Sequence, residues 1–338
     1  MTPRVMIILG SASDIAIAEK SMDMLDKLEI PYSLKVASAH RTPNLVREIV
    51  TKGTEAGIEV FIGIAGLAAH LPGSIAAYTP RPVIGVPVDV KSGGRDALES
   101  IVQMPYPSPI STVGIDRGDN AAILAAQFIA VHDEEVHRRI VELRKEYARK
   151  VIDSNEEVIG SIDRPFLDND FLKVKDLEIK KPVIEPVETP NLDAEVVIIV
   201  GRLIDVVTAK KITAILERLN ISYDMKVVCP IRSNKKFINY VKSMKNAKIF
   251  IGVSSNSSQV TGGIVGLTAR PVIGVPCTNE NGDDYMLTTV SMPPGVPVAT
   301  VGINNGKNAA VLAAEILSIH DPEIVKLLDK LKDKKINL

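Results

Sequence analysis

Cysteine is scarce in this chain, with two residues, Cys229 and Cys277, in 338. That argues against a disulfide framework and against a thiolate metal site. The five histidines do not fall into the spacing of a zinc motif. Excess charge of either sign is missing as well. A net charge of −1 gives no reason to expect a general nucleic-acid or acidic-surface binder. No long apolar run occurs. The one at the start, MTPRVMIILG, is too short for a signal or membrane helix and runs directly into Gly10 and Asp14, as a first strand would. These absences leave a soluble, metal-free protein without a membrane partner, expected in the cytoplasm. What is present fits that class: 46% hydrophobic and 24% charged residues, in a chain long enough for two domains with their own cores.

The stretch that organises the chain is Val60 to Gly73, VFIGIAGLAAHLPG. An apolar run ending in small residues, then a histidine and Leu-Pro-Gly, reads as a buried strand, a tight turn and a helix. Around it, short apolar runs at Val5–Leu9, Tyr32–Val36, Pro82–Val86 and Thr112–Ile115 read as further strands. Amphipathic segments at Ile15–Leu28, 44–56 and Asn120–Val131 read as helices. Ser13 or Asp14 is placed to cap the first of these. Alternating strands and helices of this length predict right-handed βαβ units, hence an α/β fold with a parallel sheet. Ligands of such sheets sit beyond the carboxyl ends of the strands. Gly10–Asp14, Ser38–Arg41 and Ala65–His70 all lie there, so three loops can converge on one pocket.

Glu134–Val151 continues as a charged helix, and Asp153–Asp193 reads as a linker or wrapping arm. Then the pattern restarts. Val196–Gly201 answers Val5–Gly10, and Ile249–Gly252 answers Val60–Gly63. The run Arg81–Pro87 recurs identically as Arg270–Pro276, Asn120-Ala-Ala as Asn308-Ala-Ala, and His132-Asp133 as His320-Asp321. Matches in one order across a whole domain indicate duplication. The expected organisation is an active domain over 1–133, a helix and linker over 134–193, and a degenerate copy over 194–338. The framework is kept while the candidate site is not. Ser11 and Ser13 become Arg202 and Ile204, Ser38-Ala39-His40 becomes Cys229-Pro230-Ile231, and Ala65–His70 becomes Ser254–Gln259. Asp14 and Arg41 survive as Asp205 and Arg232.

In the first half, Gly10-Ser11-x-Ser13-Asp14 offers a flexible turn, two hydroxyls and helix N–H groups, which suits a phosphate. Ser and Asp are equally ordinary helix caps. Asp14 would repel phosphate but could hold a ribose hydroxyl. In Ser38-Ala39-His40-Arg41, an arginine can grip an anion bidentately beside a histidine able to move a proton near neutral pH. The two cysteines read as packing residues, and His132, His137 and His320 as surface helix residues.

Taken together, GSxSD at 10–14, SAHRTP at 38–43, AGxAAHLPG at 65–73, PVIGVPV at 82–88 and SIVQMP at 100–105 resemble the PurE family, the N5-carboxyaminoimidazole ribonucleotide mutases of purine biosynthesis. The likeness covers most of residues 4–132 and, more faintly, 195–320. It implies flavodoxin-like three-layer domains, here two in tandem with parallel sheets, and no metal or organic cofactor. It also implies a homo-oligomer with pockets at subunit junctions, for this chain a tetramer of two-domain subunits supplying eight domains. Carried over by position, Gly10, Ser11, Ser13, Asp14, Ser38, Ala39 and Arg41 would hold the ribose phosphate. Ala65, Gly66, Ala68, Ala69 and Leu71 would wall the imidazole and the migrating carboxylate. His40 would be the general acid–base, and His70 would orient the carboxylate. Position 67 departs from the family pattern, with Leu where a second glycine is usual, which narrows the room beside the ring. The resemblance leaves two other readings open: direct carboxylation of aminoimidazole ribonucleotide by carbon dioxide, and a nucleotide-binding regulatory protein without chemistry.

Overall fold

The computed structural model describes residues 2–162, 164, 167, 168, 173, 174, 177 and 190–336. The linker expected over 153–193 therefore lies largely outside the described residues.

In the first half the strands are β1 (Val5–Leu9), β2 (Tyr32–Val36), β3 (Val60–Gly66), β4 (Val83–Val88) and β5 (Ser111–Thr112). Between and after them run α1 (Ile15–Lys27), α2 (Pro43–Glu55), α3 (Leu71–Ala76), α4 (Arg95–Val102), α5 (Gly118–Ile129) and α6 (Glu134–Gly160). The second half repeats the plan with β6 (Val196–Val200), α7 (Val206–Arg218), β7 (Tyr223–Val227), α8 (Asn234–Ser243), β8 (Ile249–Ser254), α9 (Gln259–Leu267) and β9 (Val272–Pro276). It closes with α10 (Met286–Val290), β10 (Ala299–Thr300), α11 (Gly306–Leu317) and α12 (Pro322–Ile336).

β1 and β4 are buried along their whole length, as the unbroken apolar runs require of strands covered on both faces. Within each half the strands are parallel. The two parallel sets then join edge to edge, through an antiparallel pair at Thr112 and Thr300, into one ten-stranded sheet ordered β2-β1-β3-β4-β5-β10-β9-β8-β6-β7. Helices cover both faces, which gives the expected three-layer α/β architecture. One face carries a single core with residues of both halves, among them Ile7, Ile62, Phe128, Ile198, Ile251 and Leu312. The other face carries separate cores centred on Phe61 and Phe250.

The alanine-rich pattern of α5 and α11 places both helices deep in the molecule: every residue of each is buried except Asp119 and Lys307 in their first turns. Their first glycines are forced by that packing. A Cβ on Gly118 would meet the Ile17 carbonyl at 2.1 Å, and one on Gly306 the Thr208 carbonyl at 2.4 Å.

Side-chain amides lock the seam between the halves. Asn120 Nδ2 donates to the Met292 and Pro293 carbonyls, at 3.3 and 3.0 Å, while its Oδ1 accepts the Gly295 N–H at 3.0 Å. Asn308 answers from the other side, donating to the Met104 and Pro105 carbonyls at 3.0 and 3.3 Å. Arg81 reaches the Ile319 carbonyl, and Arg270 the Ala130 carbonyl. The residues repeated identically in the sequence are thus, in large part, seam residues.

Three local expectations change. Asp14 stands just before α1 but makes no side-chain cap, and neither does Ser13; Ser11 Oγ accepts the Ser13 N–H instead. His132 and His320 lie in the turns after α5 and α11, not on helix surfaces. Their rings meet edge-on at 5.2 Å, with His132 Nε2 against the Leu317 carbonyl and His320 Nε2 3.2 Å from Glu59. β5 is shorter than its apolar run, two residues instead of four, because its only partners are β4 and the short β10.

Candidate functional site

The sheet order β2-β1-β3 makes the carboxyl ends of these strands neighbours. The chain leaves β1 toward one side and returns to β3 on the other, and such a switch point leaves a crevice at the strand ends. All fourteen site residues anticipated from sequence line the one cavity there, of about 540 Å³. Two more join them: Leu67, and Val90 from the loop after β4. Val90 was missed in the sequence. The one signal for it is an apolar residue standing in an otherwise polar loop, DVKSGG, beyond a strand adjacent to β3.

The loop after β1 is tied to its neighbour by the Gly10 N–H donating to the Ile64 carbonyl at 3.0 Å. Ser13 Oγ donates to the Asp14 carboxylate at 3.0 Å and lies 2.8 Å from Ser11 Oγ. Asp14 is buried, and burial raises its pKa above the ordinary carboxylate value, with the Ser13 hydroxyl opposing the shift. The loop after β2 folds on itself: the Ser38 N–H donates to Thr42 Oγ1 at 2.9 Å, and the Arg41 N–H to Ser38 Oγ at 3.2 Å. Arg41 then reaches across to donate to the Gly10 carbonyl at 3.2 Å, which fixes the first two loops against each other.

The third loop brings the second histidine. His70 precedes α3, whose second residue Pro72 suits a first turn. His70 Nδ1 lies 2.8 Å from His40 Nε2. A hydrogen bond at that distance needs a proton on one nitrogen and a lone pair on the other. The pair therefore holds a donor and an acceptor side by side at the cavity. Between β3 and His70, Leu67 adopts φ 58. For a leucine the left-handed region costs about 1–2 kcal/mol. Among the described residues, no three His, Cys, Asp or Glu side chains gather as a metal-ligand set.

The counterpart in the second half uses its polar groups on itself. Ser254 Oγ donates to the Ser257 carbonyl at 2.8 Å, and the Ser255 N–H donates to the buried Asp205 at 3.2 Å. Arg202 pairs with Glu280 at 3.0 Å. Arg232 repeats the Arg41 contact, donating to the Gly201 carbonyl at 2.8 Å. Where the histidine would be, Ile231 is 68% exposed, and Leu203 beside Ile204 is 79% exposed.

A parallel α/β sheet with a histidine pair and a hydroxyl-lined cavity at its switch point defines an enzyme-like class of nucleotide-sized binding sites. The sequence profile of one family, AIR carboxylase, matches twice, over residues 4–150 and 195–337. The chain belongs to that family. It is 66% identical over its whole length to the whole of a probable N5-carboxyaminoimidazole ribonucleotide mutase of Methanobrevibacter smithii. A probable mutase of the same name from Methanothermobacter thermautotrophicus is 50% identical, over 99% of each chain. The N5-carboxyaminoimidazole ribonucleotide mutase of Methanocaldococcus jannaschii is 54% identical, but it matches 45% of this chain with 95% of its own. A single-copy relative is thus similar to one half, and the first two relatives are similar to the two-copy chain. Among the described residues, no helix is long and apolar enough to cross a membrane.

Proposed function

We infer that this chain is an N5-carboxyaminoimidazole ribonucleotide mutase of purine biosynthesis, acting in the cytoplasm on a small ribonucleotide. The observation that carries this reading is the His40–His70 contact of 2.8 Å in a cavity shared with Ser11, Ser13, Asp14, Ser38 and Arg41. The hydroxyls and Arg41 hold the ribose phosphate, and Asp14 accepts from a ribose hydroxyl. Ala65, Gly66, Ala68, Ala69 and Leu71 wall the base.

The chemistry follows from placing one proton carrier in a small enclosed space. The N–C bond of the carbamate breaks with its electron pair staying on nitrogen, which takes a proton from His40. That gives carbon dioxide and aminoimidazole ribonucleotide. Ring carbon 4 donates its enamine pair to the carbon dioxide, forming the C–C bond, and its proton returns to His40. His70, within hydrogen-bond reach of His40, holds that ring in place and steers the carboxylate.

Residues 1–133 carry the reaction, 134–193 form the helix and linker, and 194–338 act as framework with no working site. Four chains supply the eight domains of the assembly. Light scattering tests that, since a stable monomer of 36.5 kDa would overturn it.

The activity itself is tested by offering purified protein each ribonucleotide in turn. N5-Carboxyaminoimidazole ribonucleotide should be converted to the C4-carboxylated product in buffer purged of bicarbonate. Product forming only from aminoimidazole ribonucleotide with abundant bicarbonate would identify a direct carboxylase instead. Binding without either conversion would identify a regulatory protein.

A further inference from the structure

Six described non-glycine residues have positive φ: Glu29, Leu67, Ser92, Asp116, Asn220 and Asn304. Two pairs of these, Glu29 with Asn220 and Asp116 with Asn304, sit at equivalent places in the two halves and belong to the shared framework. Leu67 is different. It is the sole apolar residue of the six, and its counterpart Asn256 is not among them, although asparagine tolerates that conformation better. This strain is confined to the half that carries His40 and His70. Strain of this kind persists where the surroundings enforce it and use it.

Its place suggests the use. Leu67 and Val90 both line the cavity, yet are 48% and 50% exposed. Val90 packs against the residue before Leu67, since a Cβ on Gly66 would lie 2.5 Å from Val90 Cγ2. The opposite walls are hydroxyls, a carboxylate, an arginine and two histidines. One side of the mouth is therefore an apolar lip contributed by the ends of β3 and β4.

We propose that Leu67, backed by Val90, is the retaining wall for the freed carbon dioxide and sets how often it is recaptured. The proposal rests on the mutase reading. Carbon dioxide is neutral and weakly hydrated, so an apolar lip shelters it while water and bicarbonate are kept from the ring. Glycine at position 67 would relax the backbone but leave the lip open.

The test follows the fate of the migrating carbon. Substrate labelled with ¹³C in its carboxyl group is turned over in buffer containing unlabelled bicarbonate. Label retained in the product is compared with aminoimidazole ribonucleotide released. Leu67→Gly should raise the released share about tenfold, as 1.36 kcal/mol of lost discrimination gives, while its thermal midpoint stays level or rises. Leu67→Met, which keeps an apolar side chain, should restore retention. If Leu67→Gly fails to fold, Val90→Ala reads the same partition without touching the strained residue. Unchanged retention in Leu67→Gly, or in Val90→Ala where that variant stands in, would overturn the retaining wall while leaving the mutase reading intact. Wild-type protein that moves no carboxyl group at all would instead overturn the function, and the wall with it.

Discussion

The mouth formed by β1, β2 and β3 and the one formed by β6, β7 and β8 are built on the same strands, the same Asp and the same Arg. They nevertheless present opposite chemistry. In the first, Ser13 and His40 face a cavity; in the second, Ile204 and Ile231 stand in their places, and the serines after β8 bond within their own loop. The same swap of character recurs away from the mouths. The pair Arg4–Glu59 at the start of β1 and β3 becomes Glu195–Lys248 at the start of β6 and β8, with the charges reversed. Duplicated halves drift most readily where only a local partner must agree, as in an ion pair. They hold still where both halves meet, as at Asn120 and Asn308.

The widest gap between the halves is in proton chemistry, and His40→Asn should expose it. Turnover should fall by about 10²–10⁴, the usual worth of a positioned acid–base, with nucleotide binding retained. Ile231→His in the second half should add nothing measurable, because no partner histidine faces it. A steady-state assay of both variants decides this. Near wild-type turnover in His40→Asn, or activity surviving in a His40→Asn, His70→Asn double variant, would move the catalytic site elsewhere.

The next contrast is electrostatic and lies in the core. Gln127 of α5 donates to the Ala269 carbonyl at 3.2 Å; its counterpart in α11 is Glu315, buried and 2.9 Å from Lys332 Nζ. Burial pushes the Glu315 carboxyl up from its ordinary 4.5 to about 7, with Lys332 pulling the other way. Between those values the folded protein holds a proton that the unfolded chain has released. Stability from this group is therefore present at low pH, falls as pH rises from 4.5 to about 7, and is level above that. The drop is on the order of 3 kcal/mol at 1.36 kcal/mol per unit. Urea titrations at pH 5 and pH 8 should show it in the wild type, and Glu315→Gln should largely remove it. Equal slopes in the two proteins would assign the pH dependence to other groups.

The seam offers a smaller asymmetry. Asn120→Ala leaves two carbonyls and the buried Gly295 N–H without their partner, and should cost about 2–3 kcal/mol. Asn308→Ala should cost about 1 kcal/mol. Its Oδ1 has no partner among the described residues, and Asn305 also donates to the Met104 carbonyl. Equal losses by chemical denaturation would mean that the two clasps share the load.

Much of this was legible in the sequence, for physical reasons. Strands buried on both faces read as unbroken apolar runs, so β1 falls at its expected bounds; β2 does so too, although it is only partly buried. Loops at strand ends converge by topology, so the three loops of the cavity follow from the strand pattern, while its individual residues follow from the family resemblance. What escaped depends on distance in three dimensions. Nothing local in Thr112 says that it pairs antiparallel with Thr300 across the seam. Nothing in His320 says that Glu59 lies 3.2 Å away. The helix α4 was missed because its apolar face, Ala97, Leu98, Ile101 and Val102, spans only eight residues. α6 runs nine residues past Val151 because its later turns, though charged, contain no proline or glycine before Gly160.

The smallest predicted effect separates a clamp from a ligand. Arg41 and Arg232 make the same bond, each donating to the carbonyl of the glycine that follows the first strand of its half. A contact kept in the half that lacks the His40–His70 pair is first of all a loop clamp. Arg41 has a second job only if its guanidinium also faces the nucleotide, as its place in the cavity lining allows. Lysine keeps the charge and can reach one acceptor, but it loses the planar fork that grips phosphate at two points. Arg41→Lys should therefore weaken nucleotide binding about tenfold, the value of one good charge-assisted contact at 1.4 kcal/mol. Arg232→Lys should leave binding unchanged. Both should lower the thermal midpoint by the same small amount, because both lose the same clamp. Calorimetric titration with the product nucleotide should return one tight site per chain for the wild type. Two equal sites, or binding weakened as much by Arg232→Lys as by Arg41→Lys, would make the second mouth a working one and erase the contrast between the halves.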